Sequence, residues 1–439
     1  MSGNLQKFPT QWNTVQIRRK LRDADGIRIG PFGSALTLDQ MVEEGFKVYG
    51  QENVIAEDFT IGIRYISPTK YAELKNCSID RGDLLVTMMG TTGRCCVVPE
   101  GLAEGIMDSH LIRLRFQDHE ANPHFMALLI DKGHYVKEQI GAVGKGTIMS
   151  GLNSSIMKQV WVGLPNVVVQ QHIVQYVSEQ TVKIDRLMEM RRRQMELLKE
   201  QRAALIQQAV TRGLNPDAPM KDSCIPWLRE IPAHWAVVKI KHRSLVKRGA
   251  SPRPIDDPKY FNENGEYSWV RISDVTASEK YLTTAEQQLS EQGASLSVKR
   301  EPGDIFVSIC ASVGKPIITQ IKCCIHDGFV WFDRLKIDSE FLFYLFSSGE
   351  MFKGLGNWGT QLNLNTDIIG NIKIPVPPKN EQKTIAKYLD KQNERFEKAS
   401  TAYARQLALL AEYRTALINE CVTGQRVVDE ASLPKGLMP

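Results

Sequence analysis

The feature that most constrains this chain is a repeat of its own sequence at a fixed offset. Residues 170–211 recur without a gap as residues 382–423, and every matched pair stands 212 positions apart. A long internal period of this kind indicates a duplicated unit, which folds with approximate two-fold symmetry. The matched pairs include Gln170/Gln382, Ile173/Ile385, Tyr176/Tyr388, Gln180/Gln392, Glu200/Glu412, Arg202/Arg414 and Val210-Thr211/Val422-Thr423.

Shorter motifs also recur outside these segments, with offsets that drift between 223 and 212. Globular parts accept insertions, whereas one extra residue in a helix rotates everything beyond it by ~100°. The order is therefore globular domain, helix, globular domain, helix. The paired motifs are Pro9-x-x-Trp12/Pro232-x-x-Trp235, Gly82-Asp83/Gly303-Asp304, Gly93-Arg94/Gly314-Lys315, Gly146-Thr147/Gly359-Thr360, Leu152-Asn153/Leu364-Asn365 and Pro165/Pro377.

Short apolar runs bounded by Gly, Pro and Asp predict strands in both globular parts, with one helix in each. The fold class predicted is α+β: two similar globular domains separated by two long antiparallel helices that form a coiled-coil stalk. The predicted segments are 1–163 (first domain), 164–213 (central helix), 214–375 (linker and second domain), 376–425 (distal helix) and 426–439 (tail).

Composition is that of a soluble globular protein, with 42% hydrophobic and 24% charged residues. The sequence has no apolar run of the ~18 residues that a membrane span needs, and its polar start does not resemble a signal peptide. We therefore expect a cytoplasmic protein without membrane contact. The eight cysteines include no C-x-x-C pair, which favours reduced thiols over a zinc site. A net charge of +5 permits nucleic-acid binding without requiring it.

Apolar residues in both long segments follow alternating spacings of three and four, as in a coiled-coil seam. The predicted seam of the second helix contains Gln406 and Tyr413, and that of the first contains Leu187 and Gln201. Faces left outside the seam are available to other subunits. The residues predicted to contribute to partner docking are Ile184, Leu187, Arg191, Leu198, Phe396, Tyr403 and Leu410.

The catalytic motifs that the sequence suggests are incomplete or lie in the wrong structural context. Gly354, Gly356 and Gly359 spell G-x-G-x-x-G, but they follow a helical stretch rather than a strand. Pro216-Asp217 and residues 257–259 only faintly resemble a metal-dependent nuclease triad, since the first pair lies in the linker. The eight histidines show no metal-ligand spacing. The sequence predicts a binding protein, with no catalytic residue and no metal site.

The candidate binding surfaces are the repeated loops and the basic stretches. Residues 89–94 and 310–315 each end a strand with small residues, a glycine and a cation, which suits close approach to phosphate oxygens. A plain strand-connecting turn, or a merely solvated basic face, is the alternative. The predicted DNA-binding residues are Arg18, Arg19, Thr91, Thr92, Arg94, Lys145, Thr147, Arg243, Arg253, Ser312, Lys315, Trp358, Thr360 and Gln361.

This layout resembles the DNA-specificity subunits of type I restriction-modification systems. The resemblance covers nearly the whole chain and rests on the ordered, duplicated motifs above together with residues 184–187 and 203–214. It implies that each globular domain is a target-recognition domain for one half of a split DNA sequence. It further implies that the helices dock two adenine methyltransferase subunits and set the gap between the half-sites.

Under this resemblance the chain binds double-stranded DNA without catalysis and carries no cofactor. S-adenosylmethionine would be bound by the methyltransferase subunits, and ATP with Mg²⁺ by the restriction and translocation subunits. Two other classes of protein stay open. One is a coiled-coil scaffold without DNA binding, and the other is a self-sufficient nuclease.

Overall fold

A computed structural model describes residues 8–22, 25–144, 152–310, 313–352 and 364–428, with side chains only to residue 142 in the second range. The chain forms two compact units. Unit 1 comprises Met1–Arg191 and Arg405–Pro439, and unit 2 comprises Arg192–Ala404. The predicted helical segments 164–213 and 376–425 are thus each divided between the units, because each globular domain buries one end of each helix.

Unit 1 begins with short strands and helices and continues into the first long helix. The elements are β1 (Asn13–Gln16), β2 (Ile27–Ile29), β3 (Met41–Val42), β4 (Phe46–Tyr49), α1 (Gln51–Ala56), β5 (Tyr65–Ile66), α2 (Pro68–Glu73), β6 (Leu84–Thr87), β7 (Cys95–Val97), β8 (Gly105–Met107), β9 (Leu111–Leu114), α3 (Pro123–Lys132), α4 (His134–Gly144), α5 (Ser154–Gln159), β10 (Trp161–Leu164) and α6 (Val167–Arg212).

The part of unit 2 that follows α6 has a related order of elements, with additional strands at its start. Its elements are β11 (Met220–Asp222), β12 (Glu230–Pro232), β13 (Ala236–Lys239), β14 (Leu245–Arg248), β15 (Tyr267–Val270), α7 (Ile272–Ala277), β16 (Tyr281–Leu282), β17 (Gln287–Leu289), α8 (Glu291–Ser295), β18 (Val298–Arg300), β19 (Ile305–Ser308), β20 (Pro316–Thr319), β21 (Cys323–Ile325), β22 (Phe329–Asp333), α9 (Ser339–Ser347), α10 (Thr366–Asn371), β23 (Lys373–Val376) and α11 (Lys379–Val422).

The sheets of the two units share a common set of strands, but unit 2 has a fifth strand in one sheet and a different strand order in the other. In unit 1 the first strand pairs antiparallel with the last (β1-β10), and two four-stranded sheets follow, β2-β9-β6-β7 and β3-β5-β4-β8. Unit 2 has β13-β23, β14-β22-β19-β20-β16 and β17-β15-β21-β18. The parallel contact β4–β8 has its counterpart in β15–β21. The predicted α+β class with two long helices is confirmed.

The long helices pair antiparallel within each unit. In unit 1 the guanidinium of Arg414 on α11 bonds Asp185 on α6, with Nε to Oδ1 at 3.0 Å. In unit 2 Arg202 on α6 lies 3.6 Å from Glu397 on α11. Arg202 and Arg414 are 212 positions apart, as are Asp185 and Glu397, so one ion pair occurs twice. The repeat therefore preserves a contact and not only a composition.

A buried glutamine fixes the start of each long helix to its globular domain. Gln170 is fully buried; its Oε1 accepts from the Asn122 amide at 2.8 Å, and its Nε2 donates to the Glu120 and Pro165 carbonyls. Gln382 accepts from the Asp338 amide at 2.8 Å and donates to the Pro377 carbonyl.

Asn122 and Asp338, whose amides these glutamines bind, are the N-caps of α3 and α9, so these two helices correspond. The repeated Asn153 and Asn365 cap α5 and α10 in the same way.

The C-terminal end of one long helix packs against each Pro-x-x-Trp motif. Gly424, just beyond α11, packs so closely on Pro9 and Trp12 that an added Cβ would lie 2.5 Å from the proline. Gly213, just beyond α6, takes the same place beside Trp235, with φ at +72° as in Gly424. A side chain at either glycine would meet both the tryptophan and an unfavourable left-handed backbone.

The predicted seam is displaced in the middle of both helices. Leu187 is 41% exposed and Gln201 is exposed, while the neighbouring Met188 packs against the core of unit 1 and Arg202 against α11. On α11, Gln406 and Tyr413 are likewise exposed, and Leu407 and Arg414 are partly buried instead. A straight helix of 3.6 residues per turn drifts from a 3.5-residue pattern by ~20° per heptad, which accounts for these one-residue differences.

Candidate nucleic-acid interface

In unit 1, several loops meet at one end of the sheet β2-β9-β6-β7. The loop after β2 is attached where the Gly30 amide bonds the Leu111 carbonyl at 3.1 Å. The loop after β6 is attached where the Met88 amide bonds the His110 carbonyl at 2.9 Å, and the Leu152 amide bonds the Met88 carbonyl. We call this set, residues 30–35, 88–94 and 108–110, the loop edge of unit 1.

The loop after β6 is closed by a buried hydroxyl. Thr87 is fully buried; its Oγ1 donates to the Thr91 carbonyl and accepts from the Arg94 amide at 3.0 Å. Ser308 binds the Lys315 amide in the same way at 3.2 Å in unit 2. This turn leaves Thr91 and Thr92 exposed at the loop edge, where the sequence predicted them to act.

The two cations of these loops are partly buried and have partners inside the domain, so their contact with phosphate stays a prediction. Arg94 Nε lies 3.3 Å from Asp131, and Arg94 Nη2 lies 3.6 Å from Glu57. Lys315 Nζ donates to the Thr276 carbonyl at 2.9 Å. Partial burial lowers the pKa of Lys315. Both cations connect the loop to neighbouring helices, and partners so far away in sequence could not be read from the motif.

The corresponding loop edge of unit 2 comprises the described residues 249–254, 309–310, 313–315 and 326–328. The Gly249 amide bonds the Phe329 carbonyl and the Ile309 amide bonds the Gly328 carbonyl, both at 2.9 Å. An added Cβ on Gly249 would lie 2.1 Å from the His326 carbonyl, just as one on Gly30 would lie 1.8 Å from the Asp108 carbonyl. The loop after β2 in unit 1 therefore packs against the turn before β9 in the same way as the loop after β14 in unit 2 packs against the turn before β22.

Three polar side chains in or next to this edge donate hydrogen bonds to Asp327. Ser251 Oγ donates to Oδ1 at 2.8 Å, Arg253 Nη2 donates to Oδ2 at 3.1 Å, and Arg248 Nε donates to the Asp327 carbonyl. Partial burial acts to raise the pKa of Asp327, but the hydrogen bond from Ser251 and the charge of Arg253 lower it overall. Asp327 is therefore ionised at neutral pH and attracts Arg253, whose side chain is 70% exposed.

The remaining described candidates lie elsewhere. Arg18 and Arg19 are exposed on the 3-10 turn Ile17–Lys20, beside the end of β9 that is opposite the loop edge. Arg243 is only partly exposed, at the corresponding end of β22. Within unit 1 the structure thus separates Arg18 and Arg19 from Thr91 and Thr92, and within unit 2 it separates Arg243 from Arg253. Candidates that fall outside the described residues are Lys145, Thr147, Ser312, Trp358, Thr360 and Gln361.

Sequence reasoning missed several exposed residues of the loop edges. In unit 1 these are Phe32 (57% exposed) and His110. In unit 2 the missed residue is Asp327. The available signal was a glycine that ends a short strand in each unit, Gly30 and Gly249, because only glycine permits this approach of one backbone to another.

The residues predicted to dock partners divide by burial. Ile184 is 5% exposed within the core of unit 1, so the expectation that it contacts a partner is wrong. Leu187 is 41% exposed. The other five, Arg191, Leu198, Phe396, Tyr403 and Leu410, are partly buried. Exposed apolar side chains that the prediction did not include are Val182, Met190, Leu197, Leu409 and Tyr413.

No helix in the described parts of the chain is both long and apolar enough to cross a membrane. Among the same residues, no group of three or more His, Cys, Asp or Glu side chains is arranged to hold a metal ion. All eight cysteines are free, and burial raises the pKa of Cys323 to about 12, which leaves its thiol protonated and unreactive.

Sequence comparisons agree with the duplicated design. Residues 232–402 match the family model for the type I restriction modification DNA specificity domain. The type I restriction enzyme MjaVIII specificity subunit of Methanocaldococcus jannaschii is 24% identical over 402 residues, covering 87% of this chain and 86% of the relative. The putative MjaX specificity subunit of that organism is also 24% identical, covering 74% of this chain and 75% of the relative.

Two solved structures share the fold. One, from work on complex assembly and conformational transition of the type I R-M system, superposes with a TM-score of 0.73 at 18% identity, covering 96% of this chain and all of the other. The HsdS subunit of Thermoanaerobacter tengcongensis superposes with a TM-score of 0.59 at 18% identity, covering 96% and 98%. With its duplicated sheets, helix anchors and loop edges, the chain is thus similar, in sequence over most of its length and in fold, to the DNA-specificity subunits of type I restriction-modification systems.

Proposed function

We propose that each unit of this chain reads one half of a two-part, asymmetric DNA sequence. The observation that carries the proposal is that one backbone frame, made of the paired sheets, the helix anchors and the loop edge, occurs twice with different side chains at the loop edge. In unit 1 the edge presents Phe32, Met89 and the hydroxyls of Thr91 and Thr92; in unit 2 it presents arginines around Asp327. Side chains that differ on a shared frame can read different bases in the major groove, whereas two identical subunits would read a palindrome.

The chain recognises DNA and leaves the chemistry to its partners. The family model describes a DNA specificity domain, and the known relatives are named specificity subunits. We assign methylation of adenine to two methyltransferase subunits that bind S-adenosylmethionine. ATP-dependent translocation and cleavage would reside on restriction subunits, and the assembly would act in the cytoplasm, where the DNA is.

The methyltransferase subunits dock on the exposed apolar side chains of the long helices. Within unit 1 these include Leu187 and Met190 on α6 and Leu409 on α11, each at least 41% exposed. The double variant Leu187→Asp/Met190→Asp places two charges on this face and should reduce copurification of the methyltransferase while leaving DNA binding intact. The control is Gln171→Asp, which adds a charge at an exposed position of the same helix. Equal copurification of both variants contradicts docking at Leu187 and Met190.

The experiment that tests the recognition role is selection of duplexes from a randomised DNA library by the full chain, followed by sequencing. The expected result is enrichment of two different short motifs at a fixed separation, with affinity that falls steeply as salt increases. A coiled-coil scaffold would retain no DNA. A nuclease would cut the library when a divalent metal is added. Either result contradicts the proposal.

A further inference from the structure

The loop edge of unit 2 holds an arginine in a way that the loop edge of unit 1 does not. The Arg253 side chain is 70% exposed, and the one hydrogen bond that its guanidinium makes among the described residues runs from Nη2 to Asp327. Nε and Nη1 have no hydrogen-bond partner among those residues. A guanidinium carries five N–H donors in a fixed planar fork, so one contact with Asp327 leaves enough donors for a second planar partner.

The backbone around Arg253 is also fixed. Pro252 is buried before it and Pro254 follows it, and the Tyr260 hydroxyl donates to the Arg253 carbonyl at 3.0 Å. Asp327 is itself fixed by the hydroxyl of Ser251 at 2.8 Å. The guanidinium therefore extends from a preorganised loop, which lowers the entropy lost when it binds a partner.

The aspartate of the equivalent turn in unit 1 is used differently. Asp108 bonds Arg64 at 3.0 Å, but Arg64 also bonds Glu52 at 2.8 Å and is only 32% exposed. Two carboxylates thus neutralise that arginine inside the domain. Residues 30–35, which correspond to 249–254, contain no charged side chain. An exposed, braced arginine is therefore a property of unit 2 and not of the shared frame.

We infer that Arg253 reads a guanine in the half-site of unit 2, with Asp327 as the residue that positions it. The inference rests on the proposed function and deepens it. Guanine offers O6 and N7 as paired acceptors in the major groove, and an arginine fork fills both. A phosphate contact needs only positive charge, whereas a lysine meets guanine O6 and N7 from a single ammonium group and loses the planar two-donor match of the fork. Replacing Arg253 with lysine therefore distinguishes the reading of guanine from contact with a phosphate.

The test is the duplex selection described above, applied to the wild type and to variants of the full chain. Arg253→Lys keeps the charge and loses the fork. It should lower the preference for guanine at one position of one half-site by about 10- to 100-fold, with the other half-site and the salt dependence unchanged. Asp327→Asn should weaken the same preference less, at the same position. Arg212→Ala, which removes an exposed arginine paired with Glu230 at 3.3 Å, is the control and should leave the motif unchanged.

An Arg253→Lys motif identical to that of the wild type would overturn the inference and leave the proposed function standing. Loss of both half-site motifs together in Arg253→Lys, with Arg212→Ala normal, would also overturn it, since Arg253 would then act on the whole complex. If the wild type enriches no two-part motif, the proposed function fails and the inference fails with it. Relaxation at a single guanine supports both.

Discussion

The two units differ in how each globular domain meets a long helix. In unit 2 this junction is filled by Lys280, which is 13% exposed and bonds Asp390 of α11 and Glu340 of α9. The Tyr344 hydroxyl also donates to Asp390, and Asn393 donates to Tyr344 at 3.0 Å. Burial acts to lower the pKa of Lys280, but its hydrogen bonds to Asp390 and Glu340 raise it overall and keep it charged.

The same place in unit 1 is an open cleft of about 420 Å³. Its lining includes Leu128 where unit 2 has Tyr344, Ser178 where it has Asp390, and Thr181 where it has Asn393. The anchors around both junctions are the same, because Gln170 and Gln382 make equivalent bonds. Duplication has therefore preserved how the helix begins and allowed the contents of the junction to diverge.

The largest effect should come from Lys280→Met, because it leaves Asp390 and Glu340 without their cation. Breaking a buried ion pair costs about 3–5 kcal/mol, and we expect about 2–3 here, since both carboxylates are more than a third exposed. Hydrogen exchange of β19 and β22 should accelerate accordingly, with β6 and β9 as the internal reference. Equal acceleration in both units would contradict a difference between the junctions.

Removing a helix anchor should affect the two units alike. Gln170→Ala and Gln382→Ala each leave a buried amide unpaired, at a cost of about 1–3 kcal/mol, with the larger loss at Gln170, which makes one more bond. Denaturant unfolding monitored by hydrogen exchange measures each unit separately. The exposed Gln171→Ala is the control. A large loss in one unit with none in the other would show that the anchors are not equivalent.

Exchanging one side chain between the junctions sharpens the comparison further. Tyr344→Leu should destabilise unit 2 by about 1–2 kcal/mol, because Asp390 and Asn393 lose a hydrogen-bond partner. The reverse change, Leu128→Tyr, has room in the cleft and should change the stability of unit 1 by less than about 1 kcal/mol. A Leu128→Tyr variant as damaging as Tyr344→Leu would mean that the cleft is not open to a larger side chain.

The smallest effect concerns pH. A hydrogen bond with Glu279, together with partial burial and the charge of Glu394, raises the pKa of Glu397, against the attraction of Arg202. A carboxyl group with a raised pKa in the folded state favours folding when protonated, so the stability of unit 2 should fall as pH rises through that pKa. Glu279→Gln should remove this dependence and add about 0.5 kcal/mol at neutral pH. If the stability of the Glu279→Gln variant depended on pH as that of the wild type does, the pair Glu279–Glu397 would not be the source of this dependence.

The sequence predicted what repeats and could not predict what each repeat contacts. Gln170 and Gln382 were visible as a matched pair, but their bonds to Asn122 and Asp338 join residues more than forty positions apart. Exposure of Leu187 depends on the drift between 3.5 and 3.6 residues per turn, which accumulates over a helix of 46 residues.

The candidate site shows the same limit. Thr91 and Thr92 follow from a strand that ends in small residues, and the structure leaves them exposed. Arg94 belongs to the same local sequence pattern, but its guanidinium pairs with Asp131 on α3. Arg253 entered the prediction only as one member of a basic stretch. Its particular role depends on Asp327, 74 positions away, and no local pattern specifies that partner.

The measurement that tests the central claim most directly is a map of methylated adenines in a host that carries this chain with its methyltransferase subunits and no other adenine methyltransferase. Two different loop edges on one duplicated frame should give a single motif made of two unlike half-sites with an unread gap between them. An uninterrupted motif, or one whose halves are inverted copies of each other, would contradict separate reading by the two units.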